Sequence, residues 1–311
     1  MSQEHERRAT WTELFYDLVF VVAVSVLGHK LSAHLSLRSA LEFAALFIPV
    51  WWAWIGATFY ADRFDKDDVL HRVMTFFQIV GICGLAIYGH DAFGSGAVGF
   101  AWSYVTVRLV LCRLYWRVGQ TVVQAKPLVN RYVTGFLIAI ALWVASTFLP
   151  APFRYYFWAV AMLIDMATPL TARRLQGQLP LSVSHLPERF GLFTLIVLGE
   201  LIAGVINGAL GHSLSLPGVA MGAISLLIAF AIWWVYFDNI DGAVIRKTLV
   251  AGQVWVYSHL VLTMSLVALG AGVRQLVALG TFVVPAPQLY LMAASIAGFI
   301  LAYSFIRLAS R

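Results

Sequence analysis

"TWTELFYDLVFVVAVSVLGHKL", residues 10–31, decides the fold. A run of this length and apolarity crosses the hydrocarbon core of a bilayer, which takes about 20 residues in a helix. Two carboxylates contradict the reading at once. Glu13 and Asp17 lie four residues apart, which puts them on one face of a helix, near the end that enters the membrane.

The rest of the chain keeps the same balance. Of 311 residues, 61% are hydrophobic, 14% aromatic and only 12% charged. Soluble domains carry roughly a quarter charged residues, and a large core does not abolish a charged surface. The composition therefore describes an integral membrane protein. The formal net charge of +6 points to basic cytoplasmic loops and not to nucleic acid, because no basic run with interleaved aromatics accompanies it. Cys83 and Cys112 lie in apolar segments and form no disulfide framework. His71, His185 and His259 follow no metal-binding spacing, so neither a metal nor another cofactor is expected. A cleavable signal would hold Glu13 and Asp17 in its apolar region, so the first segment is expected to stay as a helix.

Ten segments are long enough to cross, near 11–33, 39–60, 70–90, 98–118, 131–149, 153–173, 187–209, 217–238, 251–272 and 287–307. The breaks between them carry glycine, proline or charge, and none is long enough for a soluble domain. With the N-terminus inside, sixteen Lys and Arg residues fall on the inner side and four on the outer. Positive charge stays on the cytoplasmic side, so both termini are expected there.

The spans also resemble one another. "ELFYDLVFVVAVS" (13–25) aligns with "ERFGLFTLIVLGE" (188–200), which lays Glu13 on Glu188, Phe15 on Phe190 and Ser25 on Glu200. "WWAWIGATFYADRFD" (51–65) resembles "WWVYFDNID" (233–241), and Gln78 and His259 fall at nearly the same depth in their spans. The offset covers six spans, an even number, which implies parallel repeats. The expected architecture is an all-α polytopic membrane protein of about ten transmembrane helices in two parallel pseudo-repeats. Residues 1–175 supply six spans and residues 183–311 four, the second repeat being short of its last pair.

Charged groups inside a bilayer cost about 2.5–3.5 kcal/mol even on the mildest scale, so they pair or face a cavity. Arg108, Asp165, Glu200 and His259 all lie well inside their spans, with Gln78 as an uncharged companion. Pairing of Arg108 with Asp165, Glu200 or both satisfies the guanidinium, and an acid left over can carry a proton. This set is the candidate solute or proton site. A closed pair that only fixes helix register is the competing reading. Glu13, Asp17, Arg63, Asp65, Arg72, Glu188, Arg189 and Asp238 gather at the expected inner ends and form a candidate cytoplasmic gate. For Glu13 and Glu188, simple capping of a helix N-terminus competes with that role. The tryptophans Trp51, Trp52 and Trp54, echoed by Trp233 and Trp234, read as an interfacial belt or as packing.

"TWTELFYDLVFVVAV", "WWAWIGATFYADRFDKDD", "HLPERFGLFTLIVLGE" and "WWVYFD", in this order along nearly the whole chain, resemble the low temperature requirement A (LtrA) family of bacterial membrane proteins. The resemblance implies a bacterial inner-membrane protein; members of about twelve spans fit a second repeat that lacks a pair here. A narrower likeness, Phe15-Tyr16-Asp17-Leu18-Val19-Phe20, is similar to the pore-helix signature of lysosomal-type potassium channels, although Tyr16 stands where those carry serine. The leading expectation is a proton-linked transporter of a small solute. A cation channel, a lipid-acting enzyme and a non-transporting stress factor are the alternatives, and no nucleophile–base pair supports the enzyme. The expected partners are the lipid bilayer and a small solute or ion, with homo-oligomerisation left open.

Overall fold

The computed structural model describes residues 10–64, 68–179, 185–210, 215–240 and 248–310. Helices make up its regular structure: α1 (Trp11–Ala33), α2 (Leu37–Phe64), α3 (Val69–Gly89), α4 (Ala97–Thr121), α5 (Lys126–Ser146), α6 (Phe153–Thr171), the four-residue α7 (Arg173–Gln176), α8 (His185–Ala209), α9 (Leu216–Ile240), α10 (Leu249–Leu279) and α11 (Ala286–Ala309). A single 3-10 turn, Val123–Ala125, leads into α5. A helix thus forms at each of the ten expected segments, but among the described residues nine are long and apolar enough to cross a membrane. The exception is α6, the expected sixth span. It has 19 residues, and Arg154, two tyrosines, Asp165 and Pro169 lower its hydropathy.

Local chemistry explains where several helices start and stop. Asp68 accepts the backbone N–H of His71 at 2.8 Å and caps α3. Thr248 does the same for α10 through Ala251. Gly280 ends α10 with φ 58°, a left-handed conformation that costs glycine nothing, and its carbonyl accepts the Ser215 hydroxyl at 2.9 Å. Pro169 removes the N–H that would bond the Asp165 carbonyl, one turn earlier in α6.

The surface is apolar where a soluble protein is polar. Ile87 is 70% exposed and Leu163 and Leu227 are each 69% exposed, while Arg108 and Asp165 are at most 1% exposed. Exposed apolar surface on this scale needs a lipid neighbour, and the buried charges need protein partners. The molecule is a multi-pass membrane protein.

The chain divides into two compact units, one of residues 1–23 and 48–186, the other of residues 24–47 and 187–311. In the first, α3 packs on α4, α4 on α5 and α5 on α6. An aromatic column of Phe100, Tyr104, Trp143 and Trp158 joins these helices, with ring centroids 4.7 Å apart for Tyr104–Trp143 and 4.9 Å for Trp143–Trp158. Trp51 and Trp54 are fully buried in this unit and Trp52 nearly so, which makes this trio packing and not an interfacial belt. Trp233 and Trp234, in the other unit, are exposed.

In the second unit α10 packs on α11 and α9 on α10. The approach of α8 to α10 is set by Gly204 and Gly208, a small-residue pair one turn apart. A Cβ on Gly204 would come within 2.5 Å of the Gly270 carbonyl oxygen, and one on Gly208 equally close to the Arg274 carbonyl. Such pairs let membrane helices touch backbone to backbone. Gly204→Leu is expected to destabilise the folded protein by about 1–3 kcal/mol, because neither backbone can yield to the side chain. Gly199→Ala, with nothing within 4 Å of its Cβ, is expected to change little. Thermal unfolding of the two variants in the same detergent checks the contrast; equal midpoints contradict it.

Candidate functional site

The first unit holds a charged pair at the middle of its helices. Arg108 of α4 donates through Nη2 to Oδ1 of Asp165 on α6. The Tyr104 hydroxyl, one turn before Arg108, donates to Oδ2 at 2.6 Å. The Trp52 indole faces the same carboxylate. The guanidinium lies over the Phe136 ring, with Cζ 4.1 Å from its centroid, a favourable cation–π contact where water is excluded. Its Nη1 rests against Gly56 of α2, where a Cβ would come within 2.7 Å. Among the described residues, Nε and Nη1 have no hydrogen-bond acceptor. Arg108 therefore offers two further nitrogens, with three N–H donors between them, beyond the Nη2 that holds Asp165.

A second cluster forms where the N-terminal ends of α1 and α8 meet the C-terminal end of α2. Thr10 and Glu13 form a capping box: Oε2 of Glu13 accepts the Thr10 N–H at 2.7 Å, and the Thr10 hydroxyl accepts the Glu13 N–H at 3.3 Å. The same Glu13 reaches Nε2 of His185 at 3.3 Å. On its other side His185 presents Nδ1 to Oδ1 of Asp62 at 2.8 Å. All three residues are buried. Asp17, one turn beyond Glu13 and fully buried, accepts the Trp54 indole N–H at 2.8 Å. The i, i+4 spacing thus leads to two different partners, His185 for Glu13 and Trp54 for Asp17.

The other expected gate residues are on both units. Arg63 donates to the Leu179 carbonyl at 3.2 Å and lies over the Phe59 ring. Arg72, Glu188 and Asp238 are exposed, and Asp238 accepts the Trp234 indole N–H at 2.6 Å. Arg189 is buried. Asp65 lies outside the described residues. At the same end of α3, Arg117 bonds both oxygens of Asp68. That guanidinium, and next the His71 N–H, hold the Asp68 carboxyl well below the usual carboxylate range, at about 2.

In the second unit Glu200 is half-buried on α8, at mid-span, and its carboxyl takes the hydroxyl of Ser25. Among the described residues Ser25 is its side-chain partner, and no cation stands beside it. His259 is fully buried. Its Nδ1 donates to the Trp255 carbonyl at 2.8 Å, so Nε2 is free to accept from the Tyr236 hydroxyl at 3.0 Å, which in turn accepts from Thr194 at 3.1 Å. Every proton in this chain has a place with the imidazole neutral. His259 is thus a satisfied core histidine, tilted against Trp255 with ring centroids 4.2 Å apart. Gln78 is buried on α3 in the first unit, with no partner for its amide nitrogen among the described residues. Of the candidate set, Arg108, Asp165 and Gln78 belong to one unit and Glu200 and His259 to the other. Among the described residues no group of three or more His, Cys, Asp or Glu side chains is arranged to hold a metal.

Sequence reasoning missed Asp62 and His185. His185 was weighed only as a metal ligand, and its carboxylate partners lie 123 and 172 residues away. The Thr10-x-x-Glu13 pattern of a capping box was readable.

The family model for the bacterial low temperature requirement A protein (LtrA) matches residues 8–311. An uncharacterized protein of Rhizobium meliloti (strain 1021) is 28% identical over 250 residues. That alignment covers 75% of this chain and 59% of the relative, so the chain spans less than two thirds of the relative's length. No solved structure matches the chain.

Loss of one member of the buried pair leaves the other uncompensated. Arg108→Gln and Asp165→Asn are each expected to cost about 3–5 kcal/mol, while the double variant is expected to cost clearly less than their sum. Unfolding of the four proteins in detergent measures the coupling. Additive effects contradict the pairing.

Proposed function

The chain belongs to the bacterial low temperature requirement A (LtrA) family, and on that footing we propose that it is a proton-linked transporter of a small solute in the bacterial cytoplasmic membrane. The observation that carries this reading is Glu200, a mid-span carboxyl whose described partner is a serine hydroxyl. An anion at that depth without a cation costs several kcal/mol, and a bound proton removes the cost. A group that holds a proton inside the membrane and gives it up on exposure to water is the minimum a proton-coupled carrier needs.

The second support is Arg108. It is a guanidinium at mid-depth in the first unit, it holds Asp165, and among the described residues its Nε and Nη1, with three N–H donors, have no acceptor. A solute with a carboxylate or phosphate fits those donors. Protonation of Asp165 would release the guanidinium to such a solute, which links proton and solute without a further group. The repeat adds weight: Ser25 and Glu200, which it lays on each other, are hydrogen-bonding partners. The charge bias of the loops favours cytoplasmic termini.

The channel alternative rests on Asp17, and the bond from Trp54 speaks against it by tying that carboxylate to α2. Purified protein in liposomes, with a pH-sensitive dye inside, tests the proposal against a panel of carboxylates, phosphates, amino acids and sugars. A solute gradient is expected to drive saturable proton movement, with Glu200→Gln at least tenfold slower. An ion current that persists without a proton gradient and scales linearly with cation concentration overturns it.

A further inference from the structure

We infer that His29 relays protons between Glu200 and the water at the C-terminal end of α1. The inference rests on the reading of Glu200 as the proton carrier and gives that carrier its route. All the residues concerned belong to the second unit.

The Glu200 carboxyl extends along α1 toward the C-terminal end of that helix. The Ser25 hydroxyl stands beside it. Its Oε2 lies 4.0 Å from the place a Cβ on Gly28 would take, and Gly28 puts no side chain there. The next residue is His29, one turn past Ser25 and about 6 Å further along the axis. Cα–Cβ bonds in a helix tilt toward its N-terminus, so that of His29 inclines back over the turn that holds Ser25.

The two groups differ in access. Glu200 is half-buried, and its Cα is nine residues, about 14 Å, from the end of α8. His29 is exposed and four residues, about 6 Å, from the end of α1 at Ala33. Among the described residues its ring nitrogens have no hydrogen-bond partner, while its carbonyl accepts the Ser32 hydroxyl at 2.8 Å. His259 is the contrast, with both ring nitrogens engaged. An imidazole with a free lone pair titrates near pH 6.5, so it can both take and release a proton under physiological conditions.

The transfer balances. The carboxylic acid of Glu200 gives its O–H proton to the lone pair of the imidazole, directly or through one water, which leaves a carboxylate and an imidazolium. The imidazolium then releases a proton to bulk water and returns to the neutral ring. The charged groups around this route are few. Arg274 of α10 acts on His29 and donates to the Ser32 hydroxyl at 3.4 Å. Like charges repel, so a proton does not rest on the ring. Lys30 of α1 and Arg38 of α2 both face Glu42, at 4.0 and 2.9 Å. Beyond Glu200, α8 carries no charged residue, α9 has none before Asp238 and α11 none before Arg307.

Full-length protein in lipid, transferred to heavy water, tests the relay through exchange of the Glu200 carboxyl proton. The infrared band is assigned from its absence in Glu200→Gln, and its shift to the deuterated position reads the exchange rate. His29→Ala is expected to slow that shift about tenfold, and imidazole added to the buffer is expected to restore it. His34→Ala, at an exposed histidine past the end of α1, is expected to change nothing. Equal exchange in the wild type and His29→Ala overturns the relay. Equal slowing in both histidine variants, or slowing that imidazole does not restore, overturns it as well. A wild type without the band overturns the relay together with the reading it rests on. Proton flux in liposomes separates the two otherwise. A protein that moves no protons with solute, yet shows slowed and restorable exchange in His29→Ala, keeps the relay and loses the transporter. Solute-driven flux that needs Glu200 but keeps its rate and pH profile in His29→Ala loses the relay and leaves the transporter standing.

Discussion

The contact on which the first unit depends is that between Arg108 and Asp165. A bilayer offers no water to either group, so each must find its counter-charge inside the protein. The consequences spread to four helices. Tyr104 and Arg108 project from α4 to the carboxylate on α6, Trp52 approaches from α2, and Phe136 of α5 lies under the guanidinium. Gly56 leaves α2 without a side chain where Nη1 sits. The weakly apolar α6 is tolerable for the same reason: its polar residue faces a cation, and its exposed face carries Leu163. Break the pair and four helices lose their common reference.

The second unit solves the same constraint differently. His259 is made harmless by a chain of neutral hydrogen bonds through Tyr236 to Thr194. Among the described residues Glu200 has no cation beside it, and a proton would neutralise it. The contrast between an acid that faces a cation and one that, among the described residues, faces only a hydroxyl is why the proposal assigns proton carriage to Glu200 and solute recognition to Arg108. The helix bearing Glu200 approaches the backbone of α10 closely one turn beyond it, at Gly204 and Gly208.

Much of this was legible in the residues. Long apolar runs give helices because a bilayer satisfies no backbone polar group, so ten segments became ten helices within a few residues. Helix bounds moved where local chemistry differs from hydropathy: α5 starts at Lys126, with a proline in its first turn, and α10 runs on to the glycine cap at Gly280. Arg108 and Asp165 were legible as partners because a lone base at mid-depth needs an acid. What hydropathy could not give is direction around the helix. Trp51, Trp52 and Trp54 fit a belt by composition, yet they face inward because α2 is enclosed along that stretch. Asp62 and His185 sit at helix ends, where charge is cheap in any membrane protein, and only the fold brings them to Glu13.

The central claim is that Glu200 holds a proton inside the membrane at neutral pH. Infrared difference spectroscopy between the wild type and Glu200→Gln in lipid reads this directly. The account predicts a protonated carboxyl band at neutral pH that vanishes in the variant. A difference spectrum containing only the bands of an ionised carboxylate would contradict it.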